Sequence, residues 1–173
     1  MKDIKWDNLN AVLERFADAF IKNAQQNLEK KDANASGTLQ RSMELDKIVI
    51  DDEQIRVTIS LEDYWWYVEH GTSPKYGAKK PERKMPPIKP IIEWIENKPV
   101  PPRVQGLTVK QQAFVIARSI KENGTKPKPF FNSAKQMTWK TFKDEIAEAV
   151  DMDIMAYIEN QVLPEMKRLV GAK

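Results

Sequence analysis

The sequence predicts an α+β fold in which helices accompany a small antiparallel sheet. Residues 4–30 carry apolar side chains three and four positions apart, a spacing typical of one face of a long amphipathic helix. Residues 55–61 instead alternate apolar and polar side chains, which is typical of a strand with one buried face. Further helical patterns fill the second half of the chain, so the helices outweigh the sheet.

The first helix is predicted from its apolar stripe and from the turn formers that follow it. The stripe consists of Trp6, Leu9, Val12, Leu13, Phe16, Phe20, Ala24 and Leu28. Residues 31–37 are rich in turn formers and should end the helix, and residues 38–42 should form a short helix or turn.

Two β segments are predicted to pair as a hairpin. Residues 43–50 are rich in β-forming side chains, but their alternation slips between Leu45 and Ile48, which indicates a bulge. Residues 51–53 are all acidic and should form the connecting turn. A lone hairpin is marginally stable in water, so it must pack against the helices or against strands of another chain.

Helical patterns return after a proline-rich middle section. Helices are predicted over residues 90–97 and 108–123, the second with Thr108 as N-cap and Gly124 as its end. Residues 131–170 continue as helix, with Pro164 expected to kink or restart it. The predicted inward stripe of this segment begins Ala134, Met137, Phe142, Ile146, Ala149, Val150. The 173 residues are interpreted as a single domain, 1–173, with a helical extension at 151–173.

Composition argues against most chemistry. The chain has no cysteine and one histidine, His70, so thiolate chemistry, disulfides and a zinc cluster are excluded and no cofactor is expected. No nucleophile elbow and no phosphate-binding glycine loop occur, which predicts a protein that is not an enzyme. The N-terminus has no signal-peptide pattern and no segment is long and apolar enough for a membrane helix, so no membrane partner is expected.

Acidic residues leave one enzymatic alternative open, a hydrolase that uses paired carboxylates. Its candidates are Asp51, Asp52, Asp63 and Glu69. The favoured interpretation of the 51–53 cluster is a solvated hairpin turn, because Asp commonly accepts backbone hydrogen bonds in turns.

Four consecutive aromatic residues occupy positions 64–67. Core packing is the favoured interpretation for the group as a whole. Since four neighbours on one element cannot all face inward, at least one should reach a partner surface. The candidates for such an interface are Tyr64, Trp65 and Trp66.

The segment 73–89 is predicted to be a projecting loop rich in proline and lysine. Against one acid, Glu82, it carries six basic residues: Lys75, Lys79, Lys80, Arg83, Lys84 and Lys89. It is interpreted either as a solvated surface loop or as an arm that contacts a neighbouring subunit or DNA. If it binds DNA on its own account, the chain is a nucleic-acid-binding accessory protein. The net charge of only +3 means that such binding would be local.

Three short segments, in this order, carry a family resemblance. They are Ser36-Gly37-Thr38-Leu39-Gln40-Arg41-Ser42, then Tyr67-Val68-Glu69-His70-Gly71-Thr72, then Pro129-Phe130-Phe131-Asn132-Ser133-Ala134. Together with the first helix and the hairpin, they resemble the head–tail joining (neck or tail-completion) proteins of tailed bacteriophages. The similarity covers roughly residues 4–150.

The resemblance implies a virion structural protein that forms a homo-oligomeric ring between head and tail. It implies portal-side connector and tail proteins as partners, passage of double-stranded DNA through the ring, and residence in the host cytoplasm before assembly.

Its motif residues also have direct physical interpretations. Gly37 and Gly71 permit the positive φ of tight turns. The hydroxyls of Thr38 and Thr72 can bond backbone groups in such turns, and Glu69 is expected to hold the neighbouring loop by accepting backbone N–H bonds.

Overall fold

Helices and one β-hairpin make up the fold, so the predicted α+β class is confirmed. The structure, a computed structural model, describes residues 4–33, 37–51, 53–73, 85–97 and 106–171. The helices in these ranges are α1 (Asp7–Lys30), α2 (Thr38–Arg41), α3 (Trp65–His70), α4 (Ile88–Asn97), α5 (Val109–Asn123), α6 (Phe131–Tyr157) and α7 (Leu163–Gly171). The strands are β1 (Glu44–Ile50) and β2 (Ile55–Ser60), and a π-helical turn (Ile158–Val162) joins α6 to α7.

The chain forms two compact units, each assembled from separated stretches of sequence. Unit 1 comprises residues 1–23, 44–60 and 134–173, and unit 2 comprises residues 24–43 and 61–133. Organisation as a single domain over 1–173 remains a prediction. None of the helices in the described ranges combines the length and apolar character needed to cross a bilayer.

The core of unit 1 contains the first part of the predicted stripe of α1. Leu9, Val12 and Leu13 are buried together with Ala149 of α6. Partly buried side chains from both strands and from α6 pack against this cluster: Trp6, Ile48, Ile50, Val57, Phe142, Ile146 and Val150. Burial of each large aliphatic side chain contributes about 1.5–3 kcal/mol to the free energy of folding. The helices thus stabilise the hairpin by covering the apolar face that it could not bury alone.

A buried carboxylate caps the start of α1. The side chain of Asp153, on α6, accepts hydrogen bonds from the backbone N–H groups of Asn8 (3.1 Å) and Leu9 (2.9 Å). It also accepts one from the side-chain amide of Asn8 at 2.7 Å. These donors lie in the first turn of a helix, where backbone N–H groups have no partner within the helix and negative charge is favoured. Asp153 thus fastens the C-terminal part of α6 to the beginning of α1.

The hairpin has the predicted bulge. Strands β1 and β2 are antiparallel, and their register shifts between Leu45 and Lys47, within the stretch where the sequence alternation slips. At the turn, Asp51 Oδ1 accepts hydrogen bonds from the N–H groups of Glu53 and Gln54, both at 2.9 Å. The N–H of Asp51 donates to the Gln54 carbonyl at 3.1 Å, which closes the turn. Asp52 lies outside the described residues.

The charge on Asp51 should make the hairpin sensitive to acid. The N–H groups of Glu53 and Gln54 hold the pKa of Asp51 below its ordinary value. A depressed pKa in the folded state means that the carboxylate adds stability above the unfolded pKa, and that this stability is lost as the pH falls through the folded pKa. We expect Asp51→Ala to be less stable than the wild type above about pH 5 and the difference to shrink in more acidic solution. Urea denaturation at several pH values measures the difference in the free energy of unfolding between the wild type and Asp51→Ala. If that difference does not change with pH, the charge on Asp51 does not have this role.

The core of unit 2 lies where the end of α1 meets the segment before α6. Leu28 and Phe130 are fully buried, and the side-chain amide of Asn27 donates to the Phe130 carbonyl at 3.2 Å. The other buried apolar residues are Ala24, Leu39, Met43, Ile95, Ala113 and Ala117. Helix α5 begins at the predicted cap, where Thr108 and Gln111 form a capping box, and it ends before Gly124. Helix α4 begins at Ile88, two residues before the predicted start.

The last helical segment agrees with its prediction except on one face. A π-helical turn directly precedes α7, in which Pro164 is the second residue. Proline lacks an N–H and clashes with the carbonyl four residues earlier, so the wider turn is the expected accommodation. The predicted inward position of Met137 is wrong, since its side chain is exposed. Thr138 is buried instead, and its hydroxyl donates to the Ala134 carbonyl and accepts from the Asn23 amide.

Candidate functional site

The turn segments that carry the family resemblance lie almost entirely in unit 2. In the first, Gly37 has φ 76°, the left-handed conformation expected of it, and Thr38 begins α2. The guanidinium of Arg41 lies over Gly37, in space that a Cβ would occupy. At the end of this segment the Ser42 hydroxyl accepts a hydrogen bond from the Glu62 N–H at 3.1 Å. That bond joins the first segment to the stretch that leads into the second.

Glu69 joins the second segment to the third. Its side chain is buried, and its two carboxylate oxygens accept hydrogen bonds from the backbone N–H groups of Phe131 (2.8 Å) and Asn132 (3.1 Å). These are the first residues of α6, so the negative charge sits at the positive end of a helix of 27 residues. Glu69 therefore accepts backbone N–H bonds, as expected from the sequence. Its donors, however, belong to a helix distant in the chain and not to the neighbouring loop.

A close approach of two backbone stretches fixes the end of the second segment. Gly71 has φ 67° and ψ 179°, and a Cβ at this position would lie 2.5 Å from the Thr125 carbonyl oxygen and 2.6 Å from Pro127 N. The N–H groups of Thr72 and Ser73 donate to that same carbonyl at 3.1 and 3.2 Å. The Thr72 hydroxyl accepts from the Thr125 N–H at 2.9 Å, which is the kind of bond expected of it. Only glycine fits here without distortion.

A repeated sequence pattern underlies this approach. The pattern Glu-x-Gly-Thr-x-Pro occurs at 69–74 and again at 122–127. Both glycines follow helices, and Gly124 has φ 68° and ψ −175°, nearly the same conformation as Gly71. A Cβ on Gly124 would lie 2.5 Å from Ser73 Cα, so each copy of the pattern excludes side chains from the other's glycine. Sequence reasoning identified only the first copy; the repetition at an interval of 53 residues was the available signal for the second.

The aromatic run is less buried than predicted. Trp65 is half-buried and packs against Phe131 with ring centroids 4.9 Å apart. The other three rings are exposed, by 41% for Tyr64, 53% for Trp66 and 61% for Tyr67. Core packing is therefore wrong for three of the four residues. The physical reason is that α3 has only six residues and is held through Trp65 and Glu69, which leaves its remaining faces uncovered.

Two of the exposed groups on α3 form a rigid pair. The Trp66 indole stacks on the His70 imidazole with ring centroids 3.6 Å apart. His70 Nδ1 also lies 3.2 Å from the Trp66 carbonyl oxygen. Both contacts join residues one helical turn apart, so the Trp66 ring is held in a fixed orientation at the surface.

Most of the predicted basic loop lies outside the described residues. This applies to Lys75, Lys79, Lys80, Arg83 and Lys84. Lys89 is described and is exposed in the first turn of α4. Contact of the loop with DNA or with a neighbouring subunit therefore remains a prediction.

The carboxylates proposed for a hydrolase have separate roles in the described part of the chain. Asp51 closes the hairpin turn and Glu69 caps α6, while Asp63 is exposed beside the start of α3. Across residues 4–33, 37–51, 53–73, 85–97 and 106–171, no group of three or more acidic or histidine side chains could hold a metal ion. What the site contains is a set of hydrogen bonds that hold α2, α3 and the start of α6 together. No family model, no curated protein and no solved structure matches this chain.

Proposed function

We propose that this chain is a ring-forming structural subunit of the head–tail junction or tail of a tailed bacteriophage. The observation that carries the proposal is a set of hydrogen bonds to backbone N–H groups that joins the second motif segment to the third and the first to the stretch before the second. Ser42 accepts from Glu62, and Glu69 accepts from Phe131 and Asn132. Side chains that accept hydrogen bonds from backbone N–H groups hold segments of the chain in place and have a structural rather than a catalytic role. Such a role suits a subunit that must present fixed surfaces to its neighbours.

The hairpin supplies a second reason. In the described ranges β1 and β2 form a two-stranded sheet, so each strand has one edge without a strand partner. Exposed edges accept strands from other chains. Pairing between neighbouring copies would turn the separate hairpins into a continuous band of sheet, which is one way to close a ring. Portal-side connector proteins, tail proteins and the DNA that passes through are the partners that this role requires.

The oligomeric state of the purified chain tests the proposal. We expect sedimentation velocity and native mass spectrometry to find a closed oligomer, with a mass at one integer multiple of the subunit mass that stops growing as concentration rises. Negative-stain electron microscopy of the same sample should then show rings. A strict monomer at every concentration, also in the presence of head and tail proteins from the same particle, would contradict the proposal.

A further inference from the structure

Two apolar surfaces of different character are exposed on this chain. The first, the aromatic surface, consists of Tyr64, Trp66 and Tyr67 on and beside α3. The second, the C-terminal stripe, consists of Leu163, Met166, Leu169 and Val170 on α7. Isolated exposed apolar residues are common, but clusters of large ones mark sites of interaction.

The aromatic surface is preorganised. Glu69 and Trp65 anchor α3 from the inner side, through the bonds to the start of α6 and the packing against Phe131. The Trp66 ring is stacked on His70, so it loses little freedom when a partner covers it. Trp and Tyr held in this way are the residue types that most often dominate binding energy at protein interfaces.

The C-terminal stripe is left uncovered by the residues that the structure describes. Every residue from Leu163 to Val170 is exposed, with Leu169 at 70% and Val170 at 77%. The apolar positions recur at intervals of three and four or lie side by side, so they share one face of α7. Because a cluster of large exposed apolar side chains marks a site of interaction, the stripe suits a partner surface.

Charge and chemistry match the two surfaces to each other. Glu62 and Asp63 precede the aromatic surface in the chain, whereas α7, which carries the stripe, holds Lys167 and Arg168 against one acid, Glu165. Burial and the neighbouring carboxylate of Glu62 raise the Tyr64 pKa, against smaller lowering effects of the Leu39 backbone and Arg41. The charge of Glu62 therefore acts directly at the aromatic surface. Met166 also suits an aromatic partner, because a methionine sulfur makes favourable contacts with ring edges.

We infer that the C-terminal stripe of one copy docks on the aromatic surface of the next copy, head to tail. The inference rests on the proposed ring, because a ring needs two different surfaces on each subunit that complement one another. A second copy of this chain is the occupant that provides both the apolar area and the opposite charge. The helical segment after Tyr157 would then serve as the arm by which each subunit holds its neighbour.

Mixing two variants gives the sharpest test. One variant, Trp66→Ser with Tyr67→Ser, lacks the aromatic surface; the other, Met166→Ser with Leu169→Ser, lacks the stripe. Each alone should self-associate roughly thirtyfold or more weakly than the wild type, as expected when hot-spot residues are removed. Mixed together, they should form a one-to-one heterodimer that does not grow, because the pair retains one intact contact and cannot extend it. Sedimentation velocity with one variant fluorescently labelled measures both results.

Matched controls separate assembly from folding. Trp139 on α6 is 55% exposed, close to the value for Trp66, and Trp139→Ser should leave association unchanged. The apolar side chains substituted, Trp66, Tyr67, Trp139, Met166 and Leu169, are exposed, so far-ultraviolet circular dichroism and thermal midpoints of these variants should match the wild type. Charge reversal gives an independent reading: Glu62→Lys with Asp63→Lys should weaken association, and mixing with Lys167→Glu plus Arg168→Glu should restore it.

The outcomes distinguish this inference from the proposed function. If the wild type forms rings and the two double variants form the same rings, the head-to-tail contact is overturned while the ring proposal stands. If each variant dissociates but their mixture does not pair, the stripe contacts a copy of itself or a different protein, and the inference is again overturned. A wild type that stays monomeric under all conditions overturns both.

Discussion

Replacing Gly71 with alanine is expected to destabilise the protein by about 3–5 kcal/mol, because two costs act at the same position. The first is conformational, since φ 67° with ψ 179° is a region that essentially only glycine occupies. The second is steric: the new Cβ would lie 2.5 Å from the Thr125 oxygen and 2.6 Å from Pro127 N. Both neighbours are backbone atoms, so relief requires the two stretches of chain to separate and to lose the bonds from Thr72 and Ser73.

A second glycine provides the control for this prediction. Gly106 also has a positive φ, 85°, but apart from its chain neighbours no atom of the described residues lies within 4 Å of its Cβ position. Gly106→Ala should therefore cost only the conformational part, about 1 kcal/mol. Gly124→Ala, at the partner position of the close approach, should resemble Gly71→Ala. Urea denaturation followed by tryptophan fluorescence compares the three, and equal losses at Gly71 and Gly106 would show that the close approach contributes nothing.

The helices and the hairpin were predictable because their signals are local. The apolar spacing of α1, the Thr108 cap of α5 and the slipped alternation near Leu45 each depend on residues within one or two turns of each other. The structure contains all three features close to their predicted positions. Local periodicity also predicted a break near Pro164, since the proline ring acts on its own helix.

Long-range partners could not be predicted in the same way. Glu69 caps a helix that begins 62 residues later, and Asp153 caps one that begins nearly 150 residues earlier. Each is one of 25 acidic residues in the sequence. The periodicity of apolar residues does not identify which backbone N–H groups, far away in the chain, an acidic side chain will bind. Trp66 was among the residues expected to reach a surface, but the exposure of Tyr67 was not predicted. Aromatic content favours burial, whereas the number of faces of α3 that other elements cover decides it.

Removal of the Glu69 carboxylate should be the other costly substitution in unit 2. Glu69→Ala leaves the Phe131 and Asn132 N–H groups without their acceptor in a buried site and removes a negative charge from the start of α6. We expect a loss of about 3 kcal/mol in the free energy of unfolding. Glu69→Gln keeps the shape and one carbonyl oxygen but turns an amide N–H₂ toward a donor, so it should cost about 1–2 kcal/mol. Urea denaturation measures both losses.

The repeated pattern supplies a matched control for Glu69. Glu122 occupies the corresponding position in the second Glu-x-Gly-Thr-x-Pro copy, but its side chain is more than half exposed and pairs with Arg118 at 2.9 Å within α5. Glu122→Ala should change stability by no more than about 0.5 kcal/mol, since exposed pairs of this kind contribute little. A loss at Glu122 equal to that at Glu69 would contradict the capping role. A larger loss at Glu69 would mean that glutamate in this local sequence stabilises the protein only where the first turn of a helix lies within hydrogen-bonding distance.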